Sequence, residues 1–291
     1  MSNGILDGDR PPLGVIGIRH PRSQVTLPRL TCPGGGILSY PPGRIGADQT
    51  REYTMIGKLE MVVLDAPDIA GLSAFYRELA GWVESDVDDD WITLGTPDGW
   101  QIGLQLAPDH QPPRWPGQAR PQQAHLDLRV PDLEAGLDRA LSLGGTLLNK
   151  DETWYTVADP AGHPFDLCLT AEDPNTTLMG VTLDCPDAKA LSAFYAELLG
   201  KPVTYDADGM AMIGNDGEQP VLFQQVADYA APRWPDPAYP QQFHLDVLVD
   251  DFDVAEPAVL ALGASRQPGG GRTFRVYTDP ADKPFCLTRP E

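Results

Sequence analysis

The chain of 291 residues reads as an α+β protein in which one set of motifs is written twice. Three observations predict this. Gln105, Pro113-Arg114-Trp115-Pro116 and Pro121-Gln122-Gln123-Ala124-His125-Leu126-Asp127 return as Gln224, Pro232-Arg233-Trp234-Pro235 and Pro240-Gln241-Gln242-Phe243-His244-Leu245-Asp246, at a constant offset of 119 residues (224 − 105, 244 − 125). Leu64-Asp65, Pro67-Asp68, Leu72-Ser73-Ala74-Phe75-Tyr76, Glu78-Leu79 and Gly81 return as Leu183-Asp184, Pro186-Asp187, Leu191-Ser192-Ala193-Phe194-Tyr195, Glu197-Leu198 and Gly200. Each half also holds two runs with the order strand, helix, strand, strand, strand, so a shorter repeat lies inside the longer one.

Residues 1–55 have Pro-Pro pairs, a Gly34-Gly35-Gly36 run and no helical or strand period. They are expected to form a disordered or loosely packed extension, or to reflect a true start near Met55. Leu59 to Ala66 is an apolar strand. Asp68 caps a helix whose stripe is Leu72, Phe75, Tyr76 and Leu79, and Gly81 ends it. These aromatics, with Phe194 and Tyr195, are expected in the core. Strands at 82–85, 91–95 and 101–106 follow, the last two joined by a Pro97-Asp98-Gly99 turn. After the proline-rich crossover comes a strand at 125–130, a helix at 133–143 capped by Asp132, and strands at 146–149, 154–158 and 165–170. His163 falls in the turn before the last of these and is expected at the surface. The domains predicted are 56–171 and 177–291.

The charge balance is 42 acidic to 21 basic residues, net −21, which repels phosphate backbones and anionic lipid. No apolar run approaches the roughly 20 residues of a membrane span, and no basic region leads into an apolar one, so neither a span nor a signal peptide is expected. Cys32, Cys168, Cys185 and Cys286 have neither zinc-site nor disulfide-framework spacing and read as free thiols in a reducing compartment. A cytoplasmic protein with no nucleic-acid or membrane partner follows, with a homodimer as an option.

The Pro-Asp-capped helix with its Phe-Tyr and terminal Gly, the His-x6-Asp strand starts and the Asp-Pro-x-x-x-Pro-Phe approach to the last strand resemble the vicinal oxygen chelate superfamily. This is the fold of glyoxalase I, bleomycin-resistance proteins and extradiol dioxygenases. The Gln, Pro-Arg-Trp-Pro and Pro-Gln-Gln-x-His-Leu-Asp signature looks like its glyoxalase-like domain branch. The resemblance covers residues 57–170 and 177–289. It implies two tandem domains, each built from two βαβββ units that form a curved, cup-like mixed sheet with helices on the convex side.

It also implies where metal ligands would lie. The first-unit position, seven residues before the capping Asp, falls on Met61 and Gly180, neither of which coordinates a hard metal. A strand slipped by one residue would offer Glu60 instead. The second-unit position falls on His125 and His244, the last-strand position on Asp166 and Cys286, and the remaining one near Gln105 and Gln224. Counted within each repeat, the first offers His125, Asp166 and Gln105, and the second His244, Cys286 and Gln224. A catalytic divalent ion needs three or four well-placed ligands. No tightly held metal is therefore expected, a divalent ion at His125 and Asp166 remaining the option in the first domain.

Strand alternation places Leu126, Leu128 and Val130 on the core face, and His125, Asp127 and Arg129 on the other. His244 with Asp246, and Asp65 and Asp184 in the same register, join that second face. A concave sheet face with such groups is a small-molecule cup. His125, Asp127, His244 and Asp246 are the candidate catalytic residues, since histidine titrates near neutrality. They equally satisfy one another as buried polar groups. Gln105, Arg129, Trp115, Asp65, Gln224, Trp234 and Asp184 are candidate ligand-binding residues. The two Arg-Trp pairs read as lids over the cups or as anchors for the crossovers. Recognition of a small organic molecule is the leading expectation. The alternative is a lyase, isomerase or dioxygenase using His125 with Asp166. A third reading makes one domain a structural copy that completes the other, with the first repeat the better candidate for chemistry.

Overall fold

The computed structural model describes residues 53–117, 120–170, 173–234, 236 and 239–290. The extension expected over 1–55 lies outside them except for its last three residues, as does Cys32. Those three already dock: Met55 bridges to Leu199, and the Thr54 amide donates to a Glu197 carboxylate oxygen at 3.0 Å.

Four βαβββ units follow. The first has β1 (Lys58–Ala66), α1 (Ile69–Ala80), β2 (Val83–Val87), β3 (Trp91–Gly95) and β4 (Gln101–Leu106). The second has β5 (Ala124–Val130), α2 (Leu133–Ser142), β6 (Thr146–Lys150), β7 (Trp154–Ala158) and β8 (Pro164–Leu169). The third has β9 (Thr177–Cys185), α3 (Ala188–Leu199), β10 (Val203–Ala207), β11 (Met210–Ile213) and β12 (Val221–Gln225). The fourth has β13 (Phe243–Leu248), α4 (Phe252–Ala261), β14 (Ser265–Gly270), β15 (Phe274–Thr278) and β16 (Pro284–Thr288). Every helix starts where a Pro-Asp or Asp-Asp pair ends the first strand. The side chains of Asp68, Asp132, Asp187 and Asp251 accept from the amides of Gly71, Ala135, Ala190 and Asp253. Gly81 and Gly200 close α1 and α3 in the left-handed region, φ 69° and 65°.

The units combine across the repeats. One eight-stranded sheet runs β14-β15-β16-β13-β1-β4-β3-β2 and the other β10-β11-β12-β9-β5-β8-β7-β6. The first unit therefore shares a sheet with the fourth, and the second with the third. Antiparallel seams join them: β1 to β13 (Val63 opposite His244, Met61 opposite Asp246) and β5 to β9 (His125 opposite Thr182, Asp127 opposite Gly180). The seams continue into the crossovers, where the Asp65 amide donates to the Gln242 carbonyl and the Asp184 amide to that of Gln123.

Contacts inside a repeat run through the core instead. The Tyr76 hydroxyl on α1 donates to Asp159 at 3.0 Å, and Tyr195 on α3 to Asp279 at 2.9 Å. Each aspartate's other oxygen accepts two amides of its own Asp-Pro turn, those of residues 161 and 163 or 281 and 283. The aspartate thus folds the turn and clamps it to a helix of the neighbouring unit. Phe75, Tyr76, Phe194 and Tyr195 are buried, as expected, in one apolar core shared by the four helices and both sheets. No described helix is long and apolar enough to cross a membrane.

His163 corrects the surface expectation. It is 5 % exposed, its Nε2 lies 2.8 Å from the Asp65 carbonyl, and its ring lies 4.8 Å from that of His110. A turn residue is buried here because the turn packs against the end of β1. The equivalent pair in the second repeat is Tyr229 and the fully buried Lys283, whose ammonium donates to the Tyr229 hydroxyl at 2.9 Å.

Two predictions follow from this arrangement. A chain cut at a protease site inserted between Asp173 and Thr176 is expected to elute as one complex in native size exclusion, because each sheet needs strands from both fragments. Separation into two folded monomers would contradict the cross-repeat seams. The second prediction concerns acid. Burial pushes His110 down to about 3, helped by His163, and His163 down to about 4. Both stay neutral when folded, while the unfolded chain takes up protons near 6.5. The stability they contribute is full above that value and drains as pH falls towards the folded values. Tyrosine fits position 110, since Tyr229 donates to the Ala281 carbonyl as His110 contacts that of Ala161. Between about pH 7.5 and about pH 5, the melting temperature of His110→Tyr should therefore gain at least about 2 °C on the unsubstituted protein. Parallel profiles would show that His110 does not couple folding to protonation.

Candidate functional site

The site begins with a β-bulge in each seam. Leu59 pairs with Val247 and Met61 with Asp246, leaving Glu60 as the extra residue. In the other seam Gly180 pairs with Asp127 and Leu178 with Leu128, leaving Met179 as the extra one. A bulge re-aims a side chain, and here it adds Glu60 to the cup face beside Met61. The one-residue slip is thus local to the bulge, and Glu60 is bonded by the Thr288 hydroxyl at 2.5 Å.

The cup formed by the first and fourth units holds a cavity of about 300 Å³. Its polar groups include Glu60, Gln105, Gln241, His244 and Asp246, with Thr273, Thr288 and Arg289 also in the lining. Trp91, Phe274, Val276 and Cys286 supply apolar wall. Trp91 lies so close over Gly103 that a Cβ there would meet its ring at 2.7 Å, so the glycine makes this wall possible. Trp234 is 9 % exposed and forms a small apolar cluster with Val276, bordered by Phe274, Cys286 and Tyr239. The second crossover is thereby anchored beside Val276, Phe274 and Cys286, which line this cup. Arg233 stacks on Tyr239 at 3.7 Å and pairs with Asp236 at the surface.

The cup of the second and third units has the same plan with different contents. His125, Asp127 and Asp166 converge, with Nε2 of His125 lying 3.6 Å from Asp127 and 3.9 Å from Asp166. Thr182 donates to Asp127 at 2.6 Å. Where the first cup has Glu60 and Gly103, this one has Met179 and Leu222, packed with Met212 and Tyr205. Arg129 pairs with Asp216 at 2.8 Å, reaching from β5 to the turn before β12. Trp115 is half-buried in its crossover.

The count of ligands within each repeat is corrected here. Gln105 pairs with Asp65 on the β1–β4 ladder and lines the cavity of His244, not His125. Gln224 pairs with Asp184 in the sheet that contains His125. The sheets therefore set Asp65, Gln105, His244, Asp246 and Cys286 on one side, with Trp234 of the crossover packed beside Val276, and Asp184, Gln224, His125, Asp127, Arg129 and Asp166 on the other. The preference for the first repeat as the seat of chemistry fails for the same reason: no cup belongs to one repeat.

Two residues of the Pro-Gln-Gln motif matter more than their place in a crossover suggested. Nε2 of Gln241 lies 2.9 Å from Nδ1 of His244 and 3.2 Å from both oxygens of Asp65. Nε2 of Gln122 lies 2.9 Å from Nδ1 of His125 and 3.3 Å from both oxygens of Asp184. The motif's fixed spacing from His was the available signal. Its purpose was hidden because the aspartate partner comes from another unit.

Electrostatics follow burial. Burial raises Asp65 to about 7, against the opposing pull of His244 and Gln241. Burial alone would lower His244, but the carboxylates of Asp246 and Asp65 outweigh it and raise its proton affinity. Cys286 is pushed up by burial and by Asp246, so it is a thiol and not a nucleophile. In the other cup burial raises Asp166 to about 6, and the three carboxylates of Asp127, Asp166 and Asp184 raise His125 against burial.

His244, Asp246 and Cys286 form one cluster of metal-donor types, and His125, Asp127 and Asp166 another. A metal-bound imidazole donates its second N–H to an acceptor. Here that second nitrogen, Nδ1, lies 2.9 Å from a glutamine nitrogen that is also within 3.3 Å of two carboxylate oxygens. The other, Nε2, faces Asp246 at 3.4 Å or Asp127 at 3.6 Å.

The geometry agrees with what the chain is similar to. No characterised protein matches it by sequence. Among solved structures it is similar to glyoxalase I from Zea mays, with a TM-score of 0.56, 18 % identity, and 80 % of this chain and 92 % of that one covered. It is also similar to a putative dioxygenase from Bacillus subtilis, with a TM-score of 0.55, 12 % identity and coverage of 81 % and 86 %. At such identities these likenesses show the fold. The family model described as glyoxalase-like domain matches residues 61–168 and again residues 180–288. The chain therefore belongs to the glyoxalase-like family of the vicinal oxygen chelate superfamily, with two such domains in tandem.

Proposed function

We propose that the protein binds a small oxygenated organic molecule in the cavity of His244, without a tightly held metal. The observation that carries this reading is the cavity itself: about 300 Å³, walled by Trp91, Phe274 and Val276, with Gln105, Gln241, His244 and Glu60 set among them. Apolar walls with a few fixed polar groups are what a small-ligand site requires. The Nε2–H of His244 and the amide of Gln105 offer donors to a ligand oxygen, and Glu60 offers an acceptor to a hydroxyl. The other cup has Met179 and Leu222 where this one has Glu60 and Gly103. That substitution supports reading it as the copy that completes the fold.

A second reading has one specific observation in its favour. In the His125 cup, Asp166 is raised to about 6 by burial beside an imidazole whose proton affinity is also raised. Two groups that exchange protons near neutrality suit acid–base catalysis, as in a lyase or isomerase.

A thermal-shift screen of small hydroxy and oxo compounds separates the two. A ligand at about 100 times its dissociation constant should raise the melting temperature by about 5 °C. The shift is expected to persist after dialysis against a chelator and in His125→Ala, and to vanish in His244→Ala. A shift lost with the chelator would sink the metal-free reading. One lost in His125→Ala and kept in His244→Ala would move the site to the other cup.

A further inference from the structure

We infer that Gln241 and Gln122 are positioning residues that decide which ring nitrogen of His244 and His125 carries the proton, and that they thereby hold both imidazoles as Nε2–H donors and out of metal coordination. This deepens the reading of His244 as a ligand-facing donor, and rests on it only for the use to which the proton is put.

The argument is one of hydrogen-bond direction. A glutamine side chain presents one nitrogen with two hydrogens and one oxygen with none. In both cups a single terminal atom of the glutamine lies within 3.2 or 3.3 Å of two carboxylate oxygens and 2.9 Å from the imidazole Nδ1. An oxygen there would face an ionised carboxylate with no hydrogen between them, a repulsive contact in a buried place. The atom must be the nitrogen. One hydrogen goes to the aspartate, the other to Nδ1, and Nδ1 is left without a proton of its own. In a singly protonated ring the proton then sits on Nε2.

Each element has a reason to stay in place. The aspartates are the last polar residues of β1 and β9, and their backbone amides are fixed by the carbonyls of Gln242 and Gln123. Gln241 and Gln122 precede their histidines by three residues and are 5 % and 8 % exposed. The whole chain of bonds occurs twice, 119 residues apart and with the same distances to within about a tenth of an ångström, so it is part of the plan of the unit. The aspartate of each chain comes from a different sequence repeat than its glutamine: Asp65 and Gln241 are 176 residues apart.

In a metal-binding relative of this arrangement the bond to Nδ1 would run the other way, from ring to acceptor. Reversing it needs only that the negative charge move from residue 65 to residue 241. The double variant Asp65→Asn/Gln241→Glu keeps both side-chain shapes. The asparagine at position 65 turns its amide nitrogen towards residue 241 and its oxygen away, residue 241 becomes the acceptor, and Nε2 is left as a lone pair facing Asp246 beside Cys286.

The test reads the rings directly. Ring-nitrogen NMR of isotope-labelled histidine is run at about pH 8, above the value near 7 of Asp65, with assignment by single His→Gln variants. The unsubstituted protein is expected to show the Nε2–H form for His244 and His125, with no ligand or metal present. An Nδ1–H form at both would overturn the inference whatever the cavity binds. In the double variant His244 should switch to the Nδ1–H form and Zn²⁺ affinity should rise at least about tenfold, while His125 stays unchanged. Should that variant not fold, Asp184→Asn/Gln122→Glu offers the same exchange in the other cup. A folded double variant with an unswitched ring, or an unsubstituted protein that already retains stoichiometric zinc after dialysis, would equally overturn it. Failure of every compound in the thermal screen would instead count against the binding reading alone.

Discussion

The antiparallel seam between β1 and β13, mirrored by that between β5 and β9, is the constraint from which the rest of this molecule follows. It decides which unit completes which sheet. Through that it decides which side chains look into the same hollow. A seam also has to accommodate curvature, and each one does so with a single extra residue. In one case that residue is Glu60, which adds a carboxylate to the cavity. In the other it is Met179, which packs with Leu222 and Met212. One bulge position, filled differently in two copies, puts a carboxylate on the wall of one cup and a methionine on the equivalent wall of the other.

Backbone seams and buried side-chain pairs such as Gln241 with Asp65 tie the two repeats together, and other buried pairs hold the units of one repeat to each other. Tyr76 to Asp159 and Tyr195 to Asp279 are the clearest of these last. Each of these aspartates accepts a hydroxyl and two turn amides, which explains why the Asp-Pro turn and the Phe-Tyr helix travel together in the sequence. Removing the hydroxyl would leave a buried carboxylate oxygen short of a partner, a loss that typically costs about 1–3 kcal/mol.

Much of this was legible beforehand. Caps, helix stripes and the Pro-Asp boundaries located the eight strands of the first repeat to within about two residues and placed its two helices, and the recurring motifs carried the same order into the second repeat, because those signals are local. Period-two alternation put His125 with Asp127 and His244 with Asp246 on the face opposite the core, and that does not depend on what the strand pairs with. What alternation cannot carry is the identity of the neighbour. A strand with one apolar and one polar face pairs as readily with a unit of its own repeat as with one from the other. Gln105 was therefore grouped with His125, and the glutamines before each histidine stood only as part of the recurring motif, with no role assigned. His163 escaped for a related reason: burial of a turn residue depends on the end of β1 lying over it, a contact across 98 residues.

The double origin of each hollow has a consequence for how such a chain can change over generations. Duplication usually frees one copy to drift while the other keeps its task. Here a substitution at a seam or cup position of the first half alters the surroundings of a residue inherited by the second, as Asp65 does for Gln241. Shuffling one half against a foreign homologue would rewrite both chambers at once. The two copies share a genetic past, but natural selection has to weigh them as one.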